Sequence, residues 1–238
     1  MLSDTVCRVF IGYDERQHDA YEVCRHTLLK HASIPLLVEQ IDQTALRHAG
    51  LYRRAPHPGT WIDTVDGKSF SSQFSFTRFL VPALCQFKGW ALYMDCDFLW
   101  RRDVRAIFDL VEENRNKSAL VVHHDFKPSE MVKMDGKEQT VYTNKNWSSL
   151  MLLNNKACNA LTPDVVNTRP GQWLHTFRWV GAIYSLGSID GRWNWIPGHS
   201  THTEPGAVHF TKGVPSMEGY ADQPYADEWF AALEEVRP

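Results

Sequence analysis

"GWALYMDCDFLW", residues 89–100, is an apolar run broken by two carboxylates, Asp95 and Asp97, with Cys96 between them. Gly89 closes the segment before it, and the unbroken apolar stretch Ala91–Met94 predicts a strand covered on both faces, the habit of parallel sheets. Acids at the carboxyl end of such a strand stand where open α/β sheets bind ligands. An Asp-x-Asp tripeptide is also a common turn, because aspartate side chains bond to local amides. In an extended or turning segment, residues two apart can face one side, so both carboxylates can approach one divalent cation. Hard oxygen ligands suit manganese or magnesium better than zinc, and two carboxylates leave positions open for phosphate oxygens.

Upstream, "VCRVFIGYD" (6–14) reads as a strand ending in Gly-Tyr-Asp. Ala20, Tyr21, Cys24, Thr27 and Leu28 recur at helical spacing and predict a helix over 15–30 with Asp14 as its N-cap. "IPLLVEQI" (34–41) supplies a second strand, and the resulting β-α-β unit implies a parallel sheet with a right-handed crossover. Residues 42–72 show neither period and predict an ordered excursion over the active face. "QFSFTRFLVPALCQF" (73–87) returns to helical spacing, with a kink expected at Pro82. Downstream, "DVRAIFDLVEEN" (103–114) reads as helix and "SALVVHH" (118–124) as strand. A polar stretch (127–146) leads to a buried strand in "WSSLMLLNN" (147–155), and a helix is expected in "YADEWFAALEEV" (225–236). Regular early alternation with a less regular last third predicts a single α/β domain.

The chain of 238 residues is 43% hydrophobic with a formal net charge of -3, enough for one sizeable core and with no basic stripe for nucleic acid or anionic membrane. Five scattered cysteines, none in a Cys-x-x-Cys pair, suggest neither a disulfide framework nor a zinc ribbon. The expectation is a cytoplasmic protein with no transmembrane segment, peripheral membrane contact being left open.

Four segments, in order, resemble nucleotide-sugar glycosyltransferases of the GT-A type, particularly glycosyltransferase family 8: "VFIGYDE" (9–15), "FSFTRFLVPALCQFKGWALYMDCDFLWRRDV" (74–104), "SSLMLLNN" (148–155) and "VHFTKGVP" (208–215). The resemblance spans nearly the whole chain. It implies a Rossmann-like GT-A fold with a mostly parallel central sheet and helices on both faces. Residues 1–125 would then form the nucleotide-sugar-binding half, and 126–238 the acceptor-binding, metal-completing half. Carried over, the family pattern puts Asp95, Asp97 and His209 on a Mn2+ or Mg2+ ion. Arg78 matches the arginine that holds the donor and the acid pair, and Gly12, Tyr13 and Asp14 match the loop that receives the base. Asn154 matches the asparagine facing the transferred sugar, and Lys212 a cation that reaches the diphosphate. The implied activity is metal-dependent transfer of a sugar from a nucleotide-sugar donor, read as a UDP-sugar, with retention of anomeric configuration. The acceptor, whether carbohydrate, glycolipid or protein, is not specified.

The chain departs from the family pattern twice. Lys212 precedes Gly213 instead of following it, and the Asp-Gln pair of the third quarter has no counterpart in residues 171–191. Trp173, Trp179, Trp193 and Trp195 can offer apolar faces to an acceptor sugar, although the burial habit of aromatics favours core or lid packing for any one of them. His123 and His124, adjacent on a strand, point to opposite faces and cannot easily share an ion. His199 and His202 have a zinc-like spacing that only His209 could complete, so they read as a surface loop. A sugar nucleotidyltransferase, or an inactive carbohydrate- or nucleotide-binding protein of the same fold, is the alternative. The former would normally carry a Gly-rich basic loop after the first strand, and "GYDERQHD" (12–19) has none.

Overall fold

The computed structural model describes residues 6–125, 132–133, 137–138, 144–181 and 184–237. Most of the polar stretch 127–146 therefore lies outside the described residues. Strand β1 (Cys7–Gly12) runs into a 3-10 turn (Glu15–Gln17) and helix α1 (His18–His31), then strand β2 (Leu36–Ile41). Asp14 caps the turn by accepting from the Arg16 amide, and Ala20, Tyr21, Cys24, Thr27 and Leu28 form the buried stripe of α1. Strands β3 (Trp90–Met94) and β4 (Phe98–Trp100) flank the acid pair, and β5 (Lys117–Val121) follows. A short ribbon, β6 (Val132–Lys133) with β7 (Lys137–Glu138), precedes β8 (Leu150–Asn154), β9 (Ser185–Ser188) and β10 (Ala207–His209).

Six of these strands form the central sheet, in the order β2-β1-β3-β8-β5-β9. The pairs β1 with β2, β1 with β3 and β5 with β9 are parallel, whereas β8 runs antiparallel to both its neighbours. The sheet is thus mostly parallel with one reversed strand inside it. Side chains alternate between two buried layers. Val9, Ile11, Leu92, Met94 and Leu152 face one side, packed against α1 and the C-terminal helix α7 (Ala226–Val236). Phe10, Ala91, Tyr93, Met151 and Leu153 face the other, under Phe79, Leu80, Val166 and Leu174. Helices on both faces explain why β3 and β8 carry no polar alternation.

Four of the remaining helices are short: α2 (Gln43–His48), α3 (Val81–Leu84), α4 (Arg105–Phe108) and α5 (Pro163–Thr168). A fifth, α6, covers Gly171–His175. Helix α2 lies in the stretch that showed no period; six residues are too few to express one, and the Asp42 cap, bonded to the Thr44 amide at 2.7 Å, starts it. The helix expected over 73–87 is instead a 3-10 turn (Thr77–Leu80) followed by α3. Pro82 sits in the first turn of α3, where its missing N–H costs nothing, so it starts a new helix and does not kink a long one.

The excursion after α2 is held by a buried ion pair. Arg54 and Asp63, each with about 1% of the side chain exposed, bond through Nε and Oδ1 at 2.8 Å. Arg54 also donates to the Val166 and Arg169 carbonyls and lies over the Phe76 ring. Arg54 Nη1 thereby ties the pair to α5 and the residue that ends it. Asp63→Ala, which leaves the guanidinium buried without its anion, should cost about 3–5 kcal/mol in urea unfolding. The double substitution Arg54→Met, Asp63→Leu should recover most of that loss, because no charge then remains buried.

Candidate functional site

The end of β3 is where buried acids meet the other elements. Asp95 continues the ladder by donating its amide to the Ser149 carbonyl at 2.9 Å. Its Oδ1 accepts from Tyr93 Oη at 2.8 Å and from Arg78 Nη1 at 3.0 Å. Arg78 is itself fixed by the Phe74 carbonyl at 3.2 Å and the Ser148 carbonyl at 2.9 Å. Burial raises the Asp95 carboxyl above the ordinary aspartate value, while Arg78 pulls it back and Asp97 adds to the rise.

His209 arrives through a different pairing. Strand β10 is antiparallel to β4, in a register that sets His209 opposite Phe98, one residue beyond Asp97. Its ring stacks on Phe98 with centroids 4.4 Å apart. Its Nε2 is 3.2 Å from Asp97 Oδ1, and ligand atoms of Asp95, Asp97 and His209 all lie within 4.8 Å of one another. The Phe210 amide closes the arrangement by donating to the Asp97 carbonyl at 2.9 Å.

The protonation pattern of His209 follows from its neighbour. Asn194 Nδ2 donates to Ser149 Oγ at 2.9 Å and to the Asn146 carbonyl at 3.3 Å, so its Oδ1 is the atom 2.8 Å from His209 Nδ1. In the neutral imidazole Nδ1 then carries the hydrogen and Nε2 the lone pair, the tautomer that a cation shared with the Asp97 carboxylate would require. Two carboxylates and one imidazole are also a donor set that manganese or magnesium accepts, so these residues could hold such an ion.

Asp95, Asp97 and Arg78 open into a cleft at the surface. Its walls come from the excursion (Ser69, Phe70, Ser72, Ser75), from the turn before β8 (Asn144, Lys145, Asn146) and from the segment after β10 (Thr211, Lys212, Gly213). Burial and the nearby Lys212 both lower the Lys145 ammonium below the usual lysine value. Cys96, between the acids, is fully buried and directs its thiol to Gln17 Oε1 at 3.3 Å.

Arg78, Asp95, Asp97, His209 and Lys212 are thus brought together. Asn154 is not. Because β8 is reversed, Asn154 pairs with Trp90 at the start of β3, the opposite end from Asp95, and its amide serves the Arg115 and Lys117 carbonyls. The start of β8 faces the acids instead, through Ser148 and Ser149. The four tryptophans considered for an acceptor are also elsewhere. Trp179, Trp193 and Trp195 are buried, Trp173 packs half-buried on the second layer, and none of them lines the cleft. Trp193 fills space against Trp100 and Gly206, and Trp179 Nε1 donates to the Leu174 carbonyl.

Gly12, Tyr13 and Asp14 stand at the same sheet end as Asp95, but they do not line the cleft. A Cβ at Gly12 would come within 2.6 Å of Tyr93 Oη and 2.7 Å of the Phe74 ring, which explains the glycine. The Asp14 carboxylate is engaged by the Arg16 amide and guanidinium and by the Gln73 amide at 3.0 Å.

Two residues escaped sequence reasoning, Asn194 and His175. Neither belongs to a motif with a spacing of its own; only the "WNW" context of Asn194 marks it. His175, on the cleft wall, bonds through Nδ1 to Ser148 Oγ at 3.0 Å, and Arg78 donates to that same hydroxyl at 3.4 Å. Desolvation holds its imidazole well below the usual histidine value, with the Arg78 and Arg54 guanidiniums adding to the effect. The unfolded chain takes up this proton below about pH 6.5 and the native state does not, so stability is lost as pH falls through that range. Urea unfolding at pH 7 and pH 5 should show a smaller difference in His175→Gln than in the unsubstituted protein.

No family model matches the chain. It is 40% identical over 236 residues to Protein CDI of Arabidopsis thaliana, covering 96% of this chain and 86% of the relative. Among solved structures, the galactosyltransferase LgtC superposes with a TM-score of 0.59 at 12% identity, covering 97% of this chain and 96% of that one. The bifunctional glycosyltransferase WbbM reaches a TM-score of 0.62 at 11% identity, and the glycosyltransferase GlyE of Streptococcus pneumoniae 0.59 at 16%. The chain spans only 50% of the WbbM chain and 61% of the GlyE chain. At these identities the likeness carries the fold, which is that of GT-A glycosyltransferases. The chain belongs to the family of Protein CDI, and it folds as a GT-A glycosyltransferase.

Proposed function

We propose that this protein is a metal-dependent glycosyltransferase of the family 8 type that moves a sugar from a UDP-sugar to an acceptor with retention of configuration. The observation that carries the reading is the convergence of Asp95, Asp97 and His209 Nε2 at the carboxyl end of a buried strand, beside a cleft that both acids line. A GT-A fold is compatible with this chemistry. Asp95, Asp97 and His209 would hold Mn2+ or Mg2+, which when bound supplies Lewis-acid stabilisation of the departing diphosphate.

The chain's own residues have three tasks. Arg78 keeps Asp95 ionised and aimed, since an uncompensated carboxylate at that depth would take up a proton. Lys212, on the cleft wall, places a cation where negative charge grows as the bond between the anomeric carbon and the phosphate oxygen breaks. Ser69, Ser71, Ser72 and Ser75 put a run of hydroxyl-bearing residues along one cleft wall, in keeping with a polyhydroxylated ligand. The first 125 residues thus supply Arg78, Asp95 and Asp97, and the remainder supplies Ser148, Ser149, His209 and Lys212, in keeping with a donor-binding half and a metal-completing half. No helix among the described residues is long and apolar enough to cross a membrane, and the acceptor is not specified by the cleft.

The test is incubation of the purified protein with a panel of nucleotide sugars, with and without Mn2+, while free nucleoside diphosphate is assayed. Release from a UDP-sugar should require the metal. Asp97→Asn should lower it by about 100-fold or more while the circular dichroism spectrum stays unchanged. Absence of metal-dependent release with every donor, together with no UDP binding by calorimetry, would overturn the reading.

A further inference from the structure

Asn194 is fully buried, and its amide is used on every side. Its two N–H groups serve Ser149 Oγ and the Asn146 carbonyl, and its oxygen accepts from His209 Nδ1. Three segments meet on this one side chain: the 3-10 turn Gly191–Asn194 that carries it, the end of β10, and the turn that leads into β8. In that last turn Asn146 has a φ of 64°, in the left-handed region that asparagine enters more readily than other non-glycine residues. Ser149 Oγ donates to the Asn146 carbonyl at 2.7 Å, so Asn194 and Ser149 together clamp the turn from two directions. Asn146 and Lys145 in this turn wall the cleft, and Ser149 ends it by accepting the Asp95 amide.

We propose that Asn194 is a positioning residue that presents the Nε2 lone pair of His209 to the metal and, through its other face, holds the Asn146–Ser149 wall of the donor pocket. Metal affinity and donor-pocket order are then set by one carboxamide. The proposal rests on the reading of Asp95, Asp97 and His209 as metal ligands. A carboxamide suits both tasks because it is acceptor and donor at once. A carboxylate in its place keeps the acceptor for His209 and loses the two donors to the wall; alanine loses both. Groups that orient a ligating imidazole typically contribute about 10–100-fold in metal affinity.

The experiment titrates Mn2+ into the full chain, reads the free aquo ion by electron paramagnetic resonance, and follows amide hydrogen exchange at 146–149. Asn194→Ala should weaken Mn2+ binding by about 10–100-fold and speed exchange in the wall. Asn194→Asp should keep Mn2+ affinity close to that of the unsubstituted chain while exchange in the wall and UDP affinity both deteriorate. Ser149→Ala, which removes the wall contact and a 3.5 Å approach to His209 Nδ1 but keeps the 2.8 Å bond from His209 to Asn194, should behave like Asn194→Asp and carries the test if Asn194→Ala does not fold. Unchanged Mn2+ affinity in Asn194→Ala would overturn the proposal, as would an equal loss in Asn194→Ala and Asn194→Asp, since packing alone would then account for it. No Mn2+ binding by the unsubstituted chain would be a different result, the failure of the metal reading itself.

Discussion

Charge brought to the end of a buried strand must be compensated, and most of the architecture around the cleft is the means of doing so. Asp95 is 8% exposed, and a carboxylate at that depth is tolerated only with strong partners. Tyr93, from the strand itself, and Arg78, from the 3-10 turn before α3, supply them. Arg78 in turn is anchored on Ser148 and Phe74, so the start of β8 and the end of the excursion are pinned to the same charge. Asp97, more open at 15% side-chain exposure, faces His209 across 3.2 Å. The division is informative: the inner acid is held by Tyr93 and Arg78, and the outer one faces the His209 imidazole.

The reversed strand is the second constraint. Had β8 run parallel to β3, its Asn154 end would lie beside Asp95 and its serines on the far side of the sheet. Antiparallel pairing puts Leu150 opposite Met94 and lets the chain enter the cleft just before the strand begins. The cost is a turn in which Asn146 adopts a left-handed conformation, and Asn194 and Ser149 offset it with hydrogen bonds. The same polar knot reaches His209, so the metal-facing imidazole and the cleft wall are parts of one buried hydrogen-bonded unit. Burial pushes the neighbouring His124 down to about 4, with His209 and His199 adding to the shift, which keeps that side of the knot neutral.

Much of this was legible along the chain, because it is written in local patterns. The apolar run Ala91–Met94 and the alternation of strand, helix and strand over 7–41 specify a parallel sheet covered on both faces. The stripe of α1, the Asp14 cap and the strand-end position of Asp95 and Asp97 are equally local: each depends on residues within one or two turns of one another. Even His209 was accessible, as the end of a short apolar strand in a segment resembling a known family.

Tertiary structure decided whatever depends on strand direction and on which long-range neighbour claims a side chain first. The direction of β8 is invisible in "SSLMLLNN", since a doubly buried strand has the same pattern either way, and it moved Asn154 out of the site and Ser148 and Ser149 into it. The tryptophans went to the core because their large apolar surfaces gain most from burial there, and no local signal separates a core indole from a sugar platform. Asn194 and His175 entered through hydrogen bonds spanning 15 and 27 residues, to His209 and Ser148, a range over which the sequence carries no period at all. Local patterns determined the elements and the acids, and the pairing of distant segments determined which polar groups stand beside them.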